Sequence, residues 1–271
     1  MKISLIQLNT GSDKPLNIET AIHFAEQAIE ADRPDLVIFP EHFDFAGGTA
    51  QLKIEAAESF NGGQAWAACS RLASKHKVNV LSGSFLEKVP GEDRVYNTSV
   101  MFDRSGDETA RYRKIHMFDI TAPDGLEYRE SATVKPGDET VVVAVDGVNV
   151  GLAICYDLRF PELFAALVKK GAELILLPAA FTLQTGKDHW EVLCRARAIE
   201  TQCYFAACGS CGVAWHDGHP RACYGHSLLV DPWGHVIAQA SDGERFVTGR
   251  IDKEVVEKVR QQIPLQHHRV L

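Results

Sequence analysis

Short apolar runs typical of β-strands alternate with helical patterns along most of this 271-residue chain. Residues 2–8 alternate as a strand does, and apolar residues then recur between positions 18 and 29 at the spacing of one helix face. Residues 36–39 form a compact apolar run, and further helices are predicted at about 161–170 and 188–202. The sequence therefore predicts a layered α/β fold in which helices cover sheets.

Two pairs of strand-like runs are joined by turns and predict β-hairpins. One pair comprises residues 96–102 and 109–113, and the other comprises residues 141–145 and 148–154, joined by an Asp-Gly turn. Antiparallel pairs are thus mixed with strand-helix units. Because no Pro/Gly/Ser-rich or charged linker divides the sequence, we expect a single domain over residues 1–271.

The charge balance is acidic, with 28 lysines and arginines against 36 aspartates and glutamates and a net charge of −8. This balance gives no electrostatic basis for binding nucleic acid or an anionic membrane. No apolar stretch approaches the roughly 18 residues of a membrane span, and the first residues lack the pattern of a signal peptide. The odd number of cysteines, seven, fits reduced thiols. We expect a soluble cytoplasmic protein whose partner is a small molecule.

One of these cysteines, Cys155, ends the apolar run 148–154 and is followed by a polar turn and Pro161. Proline is favoured in the first turn of a helix, so this pattern predicts a strand, a turn and then a helix. Such a turn can present a thiol beside backbone N–H groups, which lower its pKa and stabilise an oxyanion. The alternative is a cysteine that only fills the core, as buried cysteines commonly do.

Glu41 and Lys114 also follow strand-like runs directly. Because ligands bind beyond the carboxyl ends of strands in open α/β sheets, we expect Glu41, Lys114 and Cys155 to meet in one pocket. Glu41 would then be a base for the thiol, while Lys114 and the backbone N–H of Tyr156 would stabilise an oxyanion. Solvated surface charges are the alternative for Glu41 and Lys114.

Three segments contain these residues: Phe39-Pro40-Glu41, Tyr112-Arg113-Lys114-Ile115-His116 and Ile154-Cys155-Tyr156-Asp157-Leu158-Arg159-Phe160-Pro161-Glu162-Leu163. In order and spacing they resemble the signature motifs of the nitrilase superfamily of carbon-nitrogen hydrolases. The resemblance implies a four-layer αββα sandwich that forms at least a homodimer, and hydrolysis of a non-peptide C–N bond without metal or cofactor. It makes Glu41 the general base, Lys114 the oxyanion-stabilising cation and Cys155 the nucleophile of a thioester intermediate. Glu130 matches a second glutamate of the family, and we expect it to position Lys114 or to tune Glu41.

Within the superfamily, residues 196–204 and 222–227 resemble the Nit amidase branch, closest to deaminated glutathione amidase and omega-amidase. This likeness implies small anionic substrates of the 2-oxoglutaramyl amide type, such as deaminated glutathione or 2-oxoglutaramate. Hydrolysis of N-carbamoyl amino acids or aliphatic amides is the alternative on the same fold.

A substrate carboxylate requires cations or polar donors in the pocket, because an unpaired carboxylate is costly to desolvate. The segment 185–190 departs from the family pattern and is predicted to select the substrate. It contains His189 and one candidate cation, Lys187. The alternative is structural: Arg159 pairs with Glu162, and the arginines of the following helix anchor it. The candidate cations are Arg159, Lys187, Arg195 and Arg197.

Three other functions stay open from the sequence. A Cys–His hydrolase would use His116 or His189 as its base. A catalytically silent member of the family would act as a binding protein. A zinc or redox module would use the C-x-x-C pair and the residues after it. The ligands of that module would be Cys208, Cys211, His216, His219 and Cys223.

Overall fold

The computed structural model describes residues 1–59, 62–122, 125–216 and 218–270. None of the helices in these ranges is long and apolar enough to cross a membrane. Two short 3-10 helices span Glu130–Ala132 and Cys155–Arg159. The α-helices are α1 (Lys14–Asp32), α2 (Ala50–Ala56), α3 (Gln64–His76), α4 (Pro161–Lys169), α5 (Leu183–Thr201), α6 (Lys253–Gln262) and α7 (Leu265–His268). The strands are β1 (Lys2–Gln7), β2 (Leu36–Ile38), β3 (Asn79–Leu81), β4 (Phe85–Lys88), β5 (Val95–Phe102), β6 (Glu108–Arg113), β7 (Asp119–Thr121), β8 (Glu127–Arg129), β9 (Val142–Val145), β10 (Val148–Leu152), β11 (Leu174–Ala179), β12 (Tyr204–Gly209), β13 (Cys211–His216), β14 (His219–Tyr224), β15 (Leu228–Val230), β16 (Val236–Gln239) and β17 (Arg245–Arg250).

Two large mixed sheets form the centre of the described structure. The first has seven strands in the order β17-β1-β2-β3-β5-β4, with β6 also paired to β5. The second has six strands in the order β16-β15-β12-β11-β10-β9. Both predicted hairpins are present, since β5 pairs with β6 and β9 pairs with β10, each antiparallel. Two further hairpins, β7–β8 and β13–β14, stand apart from the large sheets.

Alternate residues of β2 point into two different cores, as the two-residue period of a strand requires. Leu36 and Ile38 pack in a core that contains residues of both sheets, whereas Val37 packs in a second core with residues of α1 and α3. On the far side of the second sheet, Phe164 of α4 packs against Phe205 of β12, with ring centroids 5.8 Å apart. The layers are therefore helix, sheet, sheet and helix, which is the αββα sandwich predicted from the sequence.

The helix α5 begins at Leu183, five residues earlier than the predicted start near Asp188. Gly186 lies inside its first turns, where a Cβ atom would lie only 2.2 Å from the Cβ of Tyr224 in β14. Tertiary packing thus places a glycine in a helix, although glycine lowers intrinsic helix stability. The helix α2 and the two separate hairpins were also not predicted from the sequence.

Candidate active site

Glu41, Lys114 and Cys155 lie beyond the carboxyl ends of β2, β6 and β10, respectively. The three side chains line one cavity of about 360 Å³, together with Glu130. Strands from both sheets therefore deliver the predicted residues to a single site. All four are held largely away from solvent, since the most exposed of their side chains, that of Glu130, is only 14% exposed.

The ammonium group of Lys114 lies between two carboxylates. Its Nζ is 3.0 Å from Oε1 of Glu41 and 3.0 and 2.9 Å from the two oxygens of Glu130. Burial alone would lower the pKa of Lys114, but the charges of Glu130 and Glu41 raise it well above its ordinary value. Lys114 is therefore a fixed cation in the floor of the cavity.

The Glu41 carboxylate is held by four groups around it. Besides Lys114, the Asn97 side chain donates to Oε1 at 2.8 Å, the Ala180 backbone N–H donates to Oε2 at 2.9 Å, and the Cys155 thiol contacts the carboxylate. Burial would raise the pKa of Glu41, but Lys114, then His42, and the hydrogen bond from Cys155 lower it to about 2. Glu41 is consequently ionised at neutral pH.

The Cys155 thiol has the opposite shift. Burial, and then the negative charge of Glu41, raise the pKa of Cys155 well above its usual value, although Lys114 opposes them. The thiol is thus protonated at neutral pH and lies beside a carboxylate that accepts its hydrogen bond. Cys155 also has φ of 48°, in the left-handed region that is strained for a residue with a side chain.

Asp157 fastens the turn after Cys155 to the loop that carries Lys114. Its buried carboxylate accepts hydrogen bonds from the Ile154 N–H at 2.9 Å, from the Tyr112 hydroxyl at 2.7 Å and from the His116 N–H at 3.1 Å. The His116 ring also contacts Asp157, at 2.7 Å from Nδ1. His116 therefore orders the Lys114 loop, and the acid-base group that the Cys155 thiol contacts is Glu41.

Of the residues predicted to contact the substrate, Tyr156 and Arg159 line the cavity. His189 is exposed and lies outside it, and its Nδ1 is 3.3 Å from the Arg159 guanidinium. Lys187 is also exposed and does not line the cavity. The early start of α5 explains this, because it turns Thr185 toward the cavity and Lys187 away from it.

The two arginines of α5 have structural partners. Arg195 donates to the Gly234 carbonyl at 2.8 Å, and Arg197 donates to the Leu158 carbonyl at 2.9 Å. Neither lines the cavity. Both arginines anchor α5, which was the predicted alternative to substrate binding.

The residues of the proposed zinc or redox module are not gathered at one point. Cys208 lies between the sheets, with Sγ 3.3 Å from the carbonyls of Ile6 and Ile38. Among the residues that the structure describes, the only three metal-binding side chains whose ligand atoms lie within 4.8 Å of one another are Glu41, His42 and Glu130. Lys114 already supplies a cation to both of these carboxylates.

Sequence reasoning missed several residues of the cavity wall. His42, which follows Glu41 directly, has a buried Nδ1 with no hydrogen-bond partner among the described residues, and the same is true of His216. Arg221 of β14 lines the same cavity. No local pattern marks His42. Arg221 was not predicted at the cavity, and His216 was considered only as a zinc or redox ligand, because β13 and β14 were not predicted as a hairpin.

The sequence profile of the family described as carbon-nitrogen hydrolase matches residues 2–261. The chain belongs to this family. The omega-amidase NIT3 of Saccharomyces cerevisiae is 36% identical over 99% of this chain and 93% of its own. The crystal structure of Saccharomyces cerevisiae Nit3, a member of branch 10 of the nitrilase superfamily, is similar with a TM-score of 0.88 and 33% identity, covering 100% of this chain and 97% of its own.

Two other relatives support the same assignment. Deaminated glutathione amidase of Synechocystis is 37% identical over 98% of this chain and 96% of its own. The crystal structure of the C. elegans NitFhit protein has a TM-score of 0.91 and 36% identity over 99% of this chain, which spans only 65% of that longer protein. The chain is thus a Nit-type hydrolase of carbon-nitrogen bonds with the fold of the nitrilase superfamily.

Proposed function

We propose that this hydrolase acts on an amide of a small 2-oxo dicarboxylic acid, such as deaminated glutathione or 2-oxoglutaramate. The relatives named above are an omega-amidase and a deaminated glutathione amidase. The observation that carries the chemistry is the Lys114 ammonium, which lies between Glu41 and Glu130 in the cavity that also exposes Cys155. The cavity holds in addition an arginine, Arg159, which suits an anionic substrate.

In the acylation half of the proposed reaction, Glu41 accepts the thiol proton while the sulfur of Cys155 attacks the amide carbonyl carbon. The carbonyl oxygen becomes an oxyanion that Lys114 and the Tyr156 backbone N–H stabilise, each such donor being worth about 3 kcal/mol. The tetrahedral intermediate collapses when Glu41 returns the proton to the leaving nitrogen. Ammonia or an amine departs, and the acyl group stays on Cys155 as a thioester.

In the deacylation half, a water molecule donates its proton to Glu41 and attacks the thioester carbonyl. The C–S bond breaks, the thiolate recovers the proton, and the carboxylic acid is released. The opposite pKa shifts of Glu41 and Cys155 support this assignment, because they keep the base ionised and the thiol neutral until attack begins. Glu130 holds Lys114 through two hydrogen bonds and is its positioning residue.

A turnover panel tests the substrate. Deaminated glutathione, 2-oxoglutaramate, 2-oxosuccinamate, an N-carbamoyl amino acid and an aliphatic amide are assayed for release of ammonia or amine. We expect the 2-oxo acids to have kcat/KM at least about 100-fold above the uncharged amide, since the uncharged amide cannot form the charged hydrogen bonds that Arg159 offers. Fast release from the aliphatic amide alone would contradict the substrate while leaving the chemistry intact.

Two substitutions test the catalytic roles. Cys155→Ala should abolish thioester formation, and Glu41→Gln should remove the base, so each should lower kcat by about 10³-fold or more. Cys69→Ala, in α3 and in the other core, is the matched control and should keep kcat. Mass spectrometry of enzyme quenched during turnover should show an acyl adduct on Cys155. Normal turnover by Cys155→Ala would refute the mechanism.

We also infer that the chain forms at least a homodimer through the outer face of α5. Val192 and Ile199 of this helix are 66% and 49% exposed, and Trp233 in the adjoining turn is 49% exposed. The Arg195 bond to the Gly234 carbonyl ties that turn to the helix. Val192→Asp should shift the mass measured by sedimentation to that of a monomer, whereas Val213→Asp, on an exposed hairpin residue, should not.

A further inference from the structure

The hairpin β13–β14 forms a wall of the cavity and is held at both ends. At its tip, the Gly48 N–H donates to the Trp215 carbonyl at 2.8 Å. A Cβ atom on Gly47, whose φ is 97°, would lie 2.5 Å from that carbonyl oxygen, so the approach requires glycine. At its base, the Tyr224 N–H donates to the Phe181 carbonyl at 2.9 Å. These contacts at both ends fix the position of the hairpin and therefore of its side chains.

The hairpin brings Arg221 and His216 to the cavity. The guanidinium carbon of Arg221 lies 4.5 Å from the centre of the Tyr128 ring. Its Nε is buried and has no hydrogen-bond partner among the residues that the structure describes. Within the described ranges, no carboxylate lies within ion-pair distance of Arg221. His216 Nδ1 is likewise buried and has no partner in the described part of the chain. Donors left unsatisfied in a cavity wall require a ligand or water.

Two positive charges, those of Lys53 and Arg221, act on His216 in this wall. Lys53 of α2 lines the same cavity. Burial, and then the charges of Lys53 and Arg221, lower the pKa of His216 to about 3, so its ring is neutral. The local field therefore favours an anion, and the neutral imidazole adds a hydrogen bond rather than a third charge.

Arg159 lines the cavity from a different element and beside different rings. It lies on the turn after Cys155, with its guanidinium carbon 5.4 Å from the centre of the Phe181 ring. Arg221 instead projects from β14 over Tyr128. A third arginine of the cavity, Arg129, is 59% exposed and lies 3.6 Å from the Glu127 carboxylate. Arg159 and Arg221 therefore remain as two separate arginine sites, which match a molecule with two separated carboxylates rather than one.

We infer that Arg221, with His216, binds a carboxylate on the leaving amine of the substrate, while Arg159 binds the carboxylate of the acyl half. This inference rests on the proposed function. The natural substrate is then an amide between a 2-oxo dicarboxylic acid and an amino acid or short peptide, not a primary amide. Deaminated glutathione has such an amine, cysteinylglycine, whereas 2-oxoglutaramate releases only ammonia.

The test compares three substrates: deaminated glutathione, its C-terminal carboxamide and 2-oxoglutaramate. In the unsubstituted enzyme, replacing the carboxylate by the carboxamide should raise KM at least about tenfold. Arg221→Met should raise KM for deaminated glutathione at least about tenfold more than KM for 2-oxoglutaramate, and should abolish the distinction between carboxylate and carboxamide. Arg71→Met, on the exposed face of α3, is the control and should keep all three ratios.

The kinetic results can contradict the role of Arg221 in two ways. Equal KM values for the carboxylate and carboxamide in the unsubstituted enzyme would overturn the inference whatever the variant does. Equal increases for all three substrates in Arg221→Met would indicate a structural role and would also overturn it. If Arg221→Met is shown by circular dichroism to be unfolded, Arg221→Gln serves for the same comparison. Absence of turnover of all three substrates would instead refute the proposed function.

Discussion

The Tyr112 hydroxyl donates a 2.7 Å hydrogen bond to the buried Asp157 carboxylate, which joins the strand before Lys114 to the turn after Cys155. The same carboxylate accepts a hydrogen bond from the Ile154 N–H, the residue before the nucleophile. Lys114 and Cys155 follow strands of different sheets, so the distance between them depends on the hydrogen bonds of Asp157. Asp157 thus controls the geometry of the site without lining the cavity.

Tyr112→Phe removes one donor of this junction and retains the ring. We expect a loss of about 1–3 kcal/mol in the free energy of unfolding, because a buried carboxylate loses a hydrogen bond. A fall in kcat of about tenfold should accompany it with little change in KM, since the chemistry depends on placement. Urea unfolding and steady-state kinetics measure both. Tyr96→Phe, a ring that contacts Arg113, is the control and should keep kcat; an unchanged kcat in Tyr112→Phe would contradict the role of the junction.

Glu130→Gln tests the positioning of Lys114. The amide keeps an oxygen that can accept the 2.6 Å hydrogen bond from the Phe118 N–H, but it loses the charge that holds the ammonium. We expect kcat to fall about 10- to 100-fold while KM changes less than threefold. The control is Glu139→Gln, at an exposed glutamate that does not line the cavity, which should have normal kinetics. Equal effects of both substitutions would argue against this role of Glu130.

Lys114→Met leaves the buried Glu41 without its cation. Breaking a buried ion pair from one side costs about 3–5 kcal/mol, and the oxyanion also loses its charged donor. We therefore expect kcat to be lowered by at least about 10³-fold together with a clear loss of stability. Chemical denaturation and single-turnover kinetics separate the two effects, and a variant of normal stability would show that the pair is not structurally important.

The stability of Lys114→Met should depend on pH in a defined direction. In the unsubstituted protein the pKa of Glu41, about 2, lies below its unfolded value, so its contribution is present above about pH 4.5 and is lost as the pH falls. In the variant, burial raises the pKa of Glu41, and protonation then stabilises the folded state at low pH. The stability difference between the two proteins should thus grow as the pH rises from about 2 through about 4.5 and above. A constant difference would indicate that Glu41 is not the affected group.

The sequence predicted the layered fold and the catalytic end of the sheets because these depend on local signals. Runs such as residues 148–154 have the strand period, and the reactive side chains follow such runs directly. The hairpin β13–β14 could not be predicted in the same way, since its strands lie outside both large sheets and their burial pattern is irregular. Arg221 was therefore not predicted as a residue of the cavity.

Lys187 was predicted to contact the substrate, but it lies outside the cavity. Its type and position suited a substrate carboxylate, but the rotation of α5 places it at the surface. That rotation is fixed by contacts between distant residues, including Gly186 with Tyr224, and no local pattern contains this information. The side chains on the reactive strand ends were predictable, whereas those that shape the far wall of the cavity were not.

The rate of hydrolysis should be independent of pH near neutrality. Glu41 has a pKa of about 2, and the pKa values of Cys155 and Lys114 lie well above their ordinary values, so none of the three titrates between about pH 5 and pH 8. We expect kcat/KM for 2-oxoglutaramate to vary less than threefold over this range. Measurement in constant-ionic-strength buffers tests it. A sigmoidal rise with a midpoint near pH 6.5 would instead indicate a histidine base.

Gly186→Ala should disturb the contact between α5 and the hairpin. The new Cβ would lie 2.2 Å from the Tyr224 Cβ, and neither backbone can yield without shifting Arg221 along β14. Overpacking of this kind costs about 1–3 kcal/mol, more than the helix propensity gained from alanine. Thermal unfolding should therefore show a lower Tm, and KM for deaminated glutathione should rise. Gly11→Ala, where no atom lies within 4 Å of the added Cβ, is the control. A higher Tm in Gly186→Ala would show that the hairpin yields easily and does not hold Arg221 in place.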